Sequence, residues 1–348
     1  LDLSFGIFAR RGEKYSCYSA GCRFMSITVS LIVPVYNGGK FAAGLCRHFA
    51  GLHKAIEGIE FIVVNDGSTD DTSAQFRQFF NEHPELQAQL IDTPNGGVSR
   101  ARNIGLSKVR GEYVMFMDHD DNVDPPLMTD LVEKMKRSDA DILQFNVDAR
   151  YPANEDEVIG LADYMDRYPF WSCVWAYIYK RNLLEKAGLK FIEGMKYLED
   201  GVFLTEYFLQ CKTVIASNTV VYDYVDNPES AMRSKRTPEQ TKKYLDDIGL
   251  AVREYTRLLA TPGQPPKVAR RLLEIRDSFQ FIHLVSMLKS GVSTDELFRR
   301  LEENGYDFRM AGYPSKFNRR RDVRLLCHVF RSRLLLKLLA ASKIMAKD

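Results

Sequence analysis

Residues 59–72 read IEFIVVNDGSTDDT. A short run rich in β-branched residues, closed by the turn signal Asp66-Gly67-Ser68, predicts a strand over 59–65. The amphipathic stretch behind it predicts a helix over roughly 70–82. A strand feeding a helix through a tight polar turn is half of a βαβ unit. The same rhythm extends in both directions. Upstream, ITVSLIVPV (27–35) is expected to be a strand and 39–57 a helix. Downstream come strands at LQAQLID (86–92), EYVMFMD (112–118) and ADILQFN (140–146). Helices are expected from Asn95-Gly96-Gly97 to about Lys108 and from Pro125 to Arg137. Strands separated by helices imply a mostly parallel sheet, and strands apolar on both faces imply helices covering both sides.

After Arg150 the pattern changes. Residues 151–169 are polar and predict a loop with a short helix, while FWSCVWAYIYK (170–180) and TVVYDYV (219–225) predict strands around a helix at 199–211. Beyond Pro238 the chain reads as almost wholly helical, with the breaker cluster TPGQPP (261–266) joining two helices. The expected organisation is an α/β domain over 25–230 and a helical C-terminal region over 231–348. Residues 1–24 are expected to be a disordered or non-native extension, because Met25 stands directly before the first strand.

The chain has 348 residues, of which 45% are apolar and 27% charged, and that composition excludes a disordered or fibrous protein. A net charge of +2 gives no whole-protein basic field for nucleic acid. The charge is uneven, however: nine Lys/Arg and two Asp from Asn318 onward leave a mildly acidic body with a basic tail. Cys17, Cys22, Cys46, Cys173, Cys211 and Cys327 form no C-x-x-C pair, so reduced thiols of a cytosolic protein are expected. No stretch is long and apolar enough to predict a transmembrane helix.

In open α/β sheets ligands bind at the carboxyl ends of the strands. Asp66 and Asp118 fall there, Tyr36 and Asn37 follow the first strand, and Arg100 and Arg102 follow the glycines of the third loop. Carboxylates for a cation, arginines for an anion and a tyrosine for stacking together describe a nucleotide-diphosphate site. The cluster Asp118-His119-Asp120-Asp121 suits Mg²⁺ or Mn²⁺ that keeps positions open for phosphate oxygens. Neither G-x-G-x-x-G nor G-x-x-x-x-G-K-[ST] is present, which argues against dinucleotide and P-loop sites. Plainer readings stand beside these. Asp66-Gly67-Ser68 is a good turn, Asp120, Asp121 and Asp124 suit the N-terminus of the following helix, and Arg100 and Arg102 suit a solvated helix face.

SLIVPVYNGG, FIVVNDGSTDDT, NGGVSRARNIGL, GEYVMFMDHDD and LEDG, in that order over about 27–225, resemble the inverting glycosyltransferase family 2 of bacterial surface-polysaccharide type. The resemblance implies the GT-A fold, a UDP-sugar donor, a divalent metal and an Asp-x-Asp motif. It places Pro34, Tyr36 and Asn37 beside the uracil and ribose, Asp66 on the uracil N3–H, and Arg102 near the nucleotide or its diphosphate. Asp118 and Asp120 become the metal-binding pair, with Asp120 the direct ligand. Glu199 and Asp200 match the family's acidic pair, with Asp200 as general base, although acids at a helix N-terminus are also ordinary. The implied reaction moves a hexose or N-acetylhexosamine to a glycan or lipid-linked acceptor at the cytoplasmic face of the membrane. A non-catalytic sugar-nucleotide-binding subunit and a metal-dependent nucleotidyltransferase are the alternatives.

Two positions depart from the family pattern: His119 inside Asp-x-Asp, and Asn65 where an acidic residue is frequent. Trp171, Trp175, Tyr177 and Tyr179 offer either an acceptor platform or core packing. Tyr222-Asp223-Tyr224, Ser230, Arg233, Lys235 and Arg236 resemble the family's donor-covering segment, and a solvated basic loop reads equally well. In the tail, 318–348, apolar residues recur at helical spacing among arginines and lysines. Such a helix suits either peripheral contact with an anionic membrane or packing on the domain with a solvated basic face.

Overall fold

A computed structural model describes residues 27–146, 156–169, 171–223, 236–316 and 320–346. The expectation for residues 1–24 lies outside these, as do those for Tyr224, Ser230, Arg233 and Lys235. The first half runs β1 (Val29–Val35), α1 (Gly39–Ala55), β2 (Ile59–Asp66), α2 (Thr72–Glu82), β3 (Gln87–Thr93), α3 (Val98–Leu106) and β4 (Tyr113–Phe116). Next come β5 (Asn122–Val123), α4 (Pro125–Ser138), β6 (Ile142–Asn146), β7 (Val158–Gly160), α5 (Leu161–Arg167) and β8 (Tyr177–Lys180). Then follow α6 (Arg181–Ala187), α7 (Glu199–Phe208), β9 (Thr213–Val220) and β10 (Tyr222–Asp223). The helical section holds α8 (Pro238–Leu259), α9 (Pro266–Ser290), α10 (Thr294–Glu303), α11 (Arg321–Phe330) and α12 (Arg333–Ser342).

One eight-stranded sheet has the order β3-β2-β1-β4-β8-β6-β9-β7, and β10 pairs with β5 in a small ribbon. β1 lies parallel to both β2 and β4, and β2 parallel to β3, so these four strands end at one edge. The chain adds β2 and β3 on one side of β1 and then crosses to place β4 on the other. That reversal opens a crevice beyond the strand ends. Pro34 lacks an N–H and sits past Ile32, the last β1 residue in register with β4, where no ladder bond to β4 is lost. α1 covers the sheet through Ala42, Leu45, Cys46, Phe49 and Leu52, a helical stripe whose Phe49 stacks on Phe61 of β2 at 4.5 Å.

The structure adds β7 where a loop was expected and α6 where no element was read, and it changes two further stretches. Among the described residues 171–180 only Tyr177–Lys180 is a strand, antiparallel to β4 and β6, and a single 3₁₀ turn at Val174–Ala176 precedes it. The strand expected at 219–225 instead begins at Thr213, because the Asp141 carboxylate accepts from the backbone N–H groups of Lys212 and Thr213 and sets the strand start. Polar Ser217 and Asn218 hide this strand in the sequence, and the pairing of β6 with β9 shifts register there.

The main core extends into the helical section: Ile248, Ala251, Val252 and Tyr255 of α8 and Leu272, Ile275 and Phe279 of α9 pack with the sheet. A second core joins Phe281, Leu284 and Met287 of α9 to Leu297 of α10, Phe330 of α11 and Leu336 of α12. Cys46, Cys173, Cys211 and Cys327 are unpaired thiols. Among the described residues no helix is long and apolar enough to cross a membrane.

Candidate functional site

The strand-end edge is tied together by side chains that the sequence singled out. Asp66 closes β2, and its two carboxylate oxygens accept from Gly96 N–H and Gly97 N–H, each at 2.8 Å. Asn95 Nδ2 donates to the Asp66 carbonyl at 2.9 Å. Asp66 therefore holds the loop that starts α3, a role its turn-like sequence does not announce. Each carboxylate oxygen keeps a second lone pair, so acceptor capacity is left for a base N–H. Gly67, at φ 70°, lies where a Cβ would come 2.5 Å from Asn95 N, so this close approach of loops requires glycine. Asn37, at φ 49°, donates its N–H to Ser68 Oγ and accepts at Oδ1 from Thr69 N–H at 2.8 Å. It pins the first loop to the second, while Tyr36 beside it stays 49% exposed with its ring open to solvent.

Arg102, on α3, is buried at the centre of the crevice. Its Nη1 donates to Asp200 Oδ1 at 2.6 Å and to Glu199 Oε1 at 3.2 Å, and its Nη2 donates to Asp118 Oδ1 at 3.3 Å. Its guanidinium lies 5.3 Å from the Phe191 ring centroid. Its Nε–H finds no acceptor among the described residues. Burial pulls the Arg102 pKa down, yet Asp200, Asp118 and Glu199 outweigh it and hold the group well above its ordinary value. Glu199 and Asp200 open α7 just after Leu198, which takes a left-handed φ of 66°. Asp200 Oδ2 also accepts from Val174 N–H at 3.2 Å, a contact made by the 3₁₀ turn that replaces the expected strand. Burial raises both carboxyls, Glu199 to about 8, with the neighbouring Asp200 charge adding to the Glu199 shift.

The Asp118–Asp121 loop is shaped by β10. Tyr222 Oη accepts from Asp118 N–H at 3.2 Å and donates to Asp121 Oδ2 at 2.8 Å. Trp175 stacks on Tyr222 with centroids 4.0 Å apart. Asp121 is therefore buried and structural, and Asp124 caps α4 by accepting from Leu127 N–H at 2.9 Å. The helix-start reading holds for Asp124, while Asp121 is held by Tyr222 instead. His119 packs edge-on to Phe41, and burial lowers its pKa, so the ring is neutral. Tyr177 and Tyr179 are wholly buried and belong to the core, which removes them from any acceptor platform. Arg236 stacks on Tyr244 at 3.8 Å. Trp175 and Tyr222 are site-shaping residues whose pairing only the fold reveals.

The sequence model of Glycosyl transferase family 2 matches residues 30–189, a span holding the Asp66 loop, Arg102 and the Asp118–Asp121 loop. The likeness to that family is thus of this stretch, 30–189 of the 348 residues. The chain is 30% identical over 217 residues to the uncharacterized glycosyltransferase EpsJ of Bacillus subtilis, covering 58% of this chain and 62% of EpsJ. It thus spans less than two thirds of that relative. Among solved structures, Staphylococcus aureus TarS 1–349 in complex with UDP-GlcNAc superposes with a TM-score of 0.66 at 19% identity over 91% of each chain. The mannosyltransferase PcManGT of Pyrobaculum calidifontis, in complex with GDP-Man and Mn²⁺, gives 0.53 at 16% identity over 92% of this chain and 88% of its own. These likenesses show the fold, which is GT-A.

No group of three His, Cys, Asp or Glu side chains forms a metal cage among the described residues. Asp118 and Asp120 supply hard oxygen donors at a strand end, and the Asp118 side chain is 37% exposed. Magnesium-type sites commonly use one or two carboxylates and complete the shell with water and substrate phosphates. The residues present fit a cation shared with a diphosphate. They do not fit one held by protein alone. With Glu199 raised to about 8 and so largely protonated at pH 7, the guanidinium faces at most two charged carboxylates, Asp118 and Asp200, an excess of at most one negative charge toward a further cation.

Proposed function

We propose that the chain transfers a hexose or N-acetylhexosamine from a UDP-sugar to a hydroxyl of a glycan or lipid-linked acceptor, with inversion. The observation that carries this reading is the Arg102 guanidinium joining Asp118, at the donor-side strand end, to Asp200 at the head of α7. Tyr36 and the remaining acceptor capacity of Asp66 receive the uracil. Asp118 and Asp120 hold a divalent cation, Mn²⁺ or Mg²⁺, together with the diphosphate. When bound, that cation supplies Lewis-acid neutralisation of charge on the leaving UDP.

Asp200 is the general base. It accepts the proton of the acceptor hydroxyl as that oxygen attacks the anomeric carbon opposite the leaving group. Its carboxylate is held from two directions, by Arg102 at Oδ1 and Val174 N–H at Oδ2, which fixes the direction of the remaining lone pairs. Burial raises its pKa from the ordinary carboxylate value, which strengthens it as a base. Arg102 keeps the deprotonated form charged in a poorly solvated place.

Calorimetric titration of UDP into the purified chain, with Mn²⁺ and then with EDTA, tests the donor site. Metal-dependent binding, followed by UDP release from a UDP-sugar when a glycan acceptor is added, is the expected result. Folded protein that binds no UDP under either condition refutes the donor assignment.

A further inference from the structure

The C-terminal helices carry a surface that the donor site does not use. α12 buries Leu336 and Ala340 in the second core. At 100° per residue, Leu334, Leu335, Leu338 and Ala341 then point to the opposite side. Leu334 is 68% exposed, Leu338 59% and Leu335 47%, and Leu325 of α11 and Ile344 beyond α12 are 67% and 70% exposed. A helix that is apolar on its buried side and again on its outward side has a second surface to cover.

Cations neighbour the exposed apolar residues along the same two helices, Arg324 beside Leu325 on α11 and Lys337 beside Leu338 on α12. A cavity of about 380 Å³ between α9, the 314–316 segment and α11 is lined by Arg270, Lys316, Arg324, His328 and Arg331. Arg270 lies 3.5 Å from Glu274, Lys316 pairs with Asp166 at 2.7 Å, and Arg331 donates to the Met310 and Tyr313 carbonyls. Arg324 makes no ion pair among the described residues, nor do exposed Arg321 and Lys337. Exposed apolar side chains and unneutralised cations on the same two helices call for a partner that is apolar and anionic together. A second copy meeting this face symmetrically would set the same cations against one another.

We propose that α11 and α12 dock the chain on an anionic lipid surface. Leu334, Leu335 and Leu338 enter the interfacial apolar layer, and the Arg324 pocket takes a headgroup phosphate. The surface stands independently of the transfer reaction.

The test is co-sedimentation of the whole chain with vesicles of phosphatidylcholine alone and with added phosphatidylglycerol. Two variants, Leu334→Ser/Leu338→Ser and Arg324→Ala, are compared with the parent, and circular dichroism melting confirms that each is folded. Binding is expected only to the phosphatidylglycerol vesicles. It should fall about fivefold on loss of the Arg324 charge and more on loss of the two leucines. The proposal is overturned by absence of binding to either vesicle, or by binding that the leucine variant leaves unchanged. It is equally overturned by a dimer, seen in sedimentation velocity, that the leucine variant dissociates.

Discussion

Arg102 and Asp200 stand 98 residues apart in the chain and meet at 2.6 Å, Nη1 to Oδ1, beneath the strand-end crevice. Because Nη2 of the same guanidinium reaches Asp118, one buried cation sets the spacing between the motif after β4 and the head of α7. The two acidic motifs are thereby placed across one crevice.

Removing that cation should be costly. Arg102→Ala leaves Asp118, Glu199 and Asp200 facing one another without their counter-charge, and breaking a buried pair from one side costs about 3–5 kcal/mol. Arg102→Lys keeps a charge but loses the planar fork that reaches three carboxylates, so its loss should be intermediate. Urea unfolding checks the order. Equal stability of parent and Arg102→Ala would mean that the three contacts contribute nothing net.

Asp66 separates loop support from base recognition. Asp66→Ala strips the acceptors from half-buried Gly96 N–H and exposed Gly97 N–H, where water replaces part of what is lost, so each bond is worth about 0.5–1.5 kcal/mol. Asp66→Asn keeps one acceptor oxygen and should be the more stable of the two. Both variants should weaken UDP binding, which calorimetry reads directly. An Asp66→Ala chain with parental affinity would remove Asp66 from the uracil site.

Most of residues 27–146 was legible because strands such as β1 and β2 are β-branched runs closed by turn signals, and period separates them from the helices that follow. The 170–180 stretch was misread because Trp171, Trp175, Tyr177 and Tyr179 alternate like strand residues. Among its described residues only β8 is strand, and Val174 N–H donates to Asp200. Asp118, Asp120 and Asp66 were visible as strand-end carboxylates. The bonds from Asp66 to Gly96 and Gly97, and the Tyr222 bridge to Asp118 and Asp121, join residues 30 to 104 positions apart. No local pattern encodes such pairings.

Asp200→Asn keeps the shape and one of the two acceptors that Arg102 and Val174 N–H use, so the chain should still fold, with lower stability, and still bind UDP. Transfer should fall by about 10²–10⁴, the usual contribution of a positioned base. The comparison to make is UDP release with acceptor, for the variant against the parent. Near-parental release from folded protein would move the base elsewhere.

The helical section should carry its own acid sensitivity. His283, wholly buried on α9, meets Tyr306 Oη through Nδ1, and its Nε2 has no partner among the described residues. Burial first, then the nearby Arg300 charge, holds its pKa down to about 3 from an ordinary 6.5. Between those values the unfolded chain binds a proton that the native imidazole refuses. Stability is therefore fully present above pH 6.5 and falls as the pH drops, by up to about 1.4 kcal/mol per unit. His283→Gln can still pair with Tyr306 and does not titrate, so its urea midpoint should fall less between pH 7 and pH 5. His48 and His119, whose pKa values burial also lowers, act equally in both proteins and cancel in the comparison. If both proteins lose the same stability over that interval, His283 is not the acid-sensitive group of the second core.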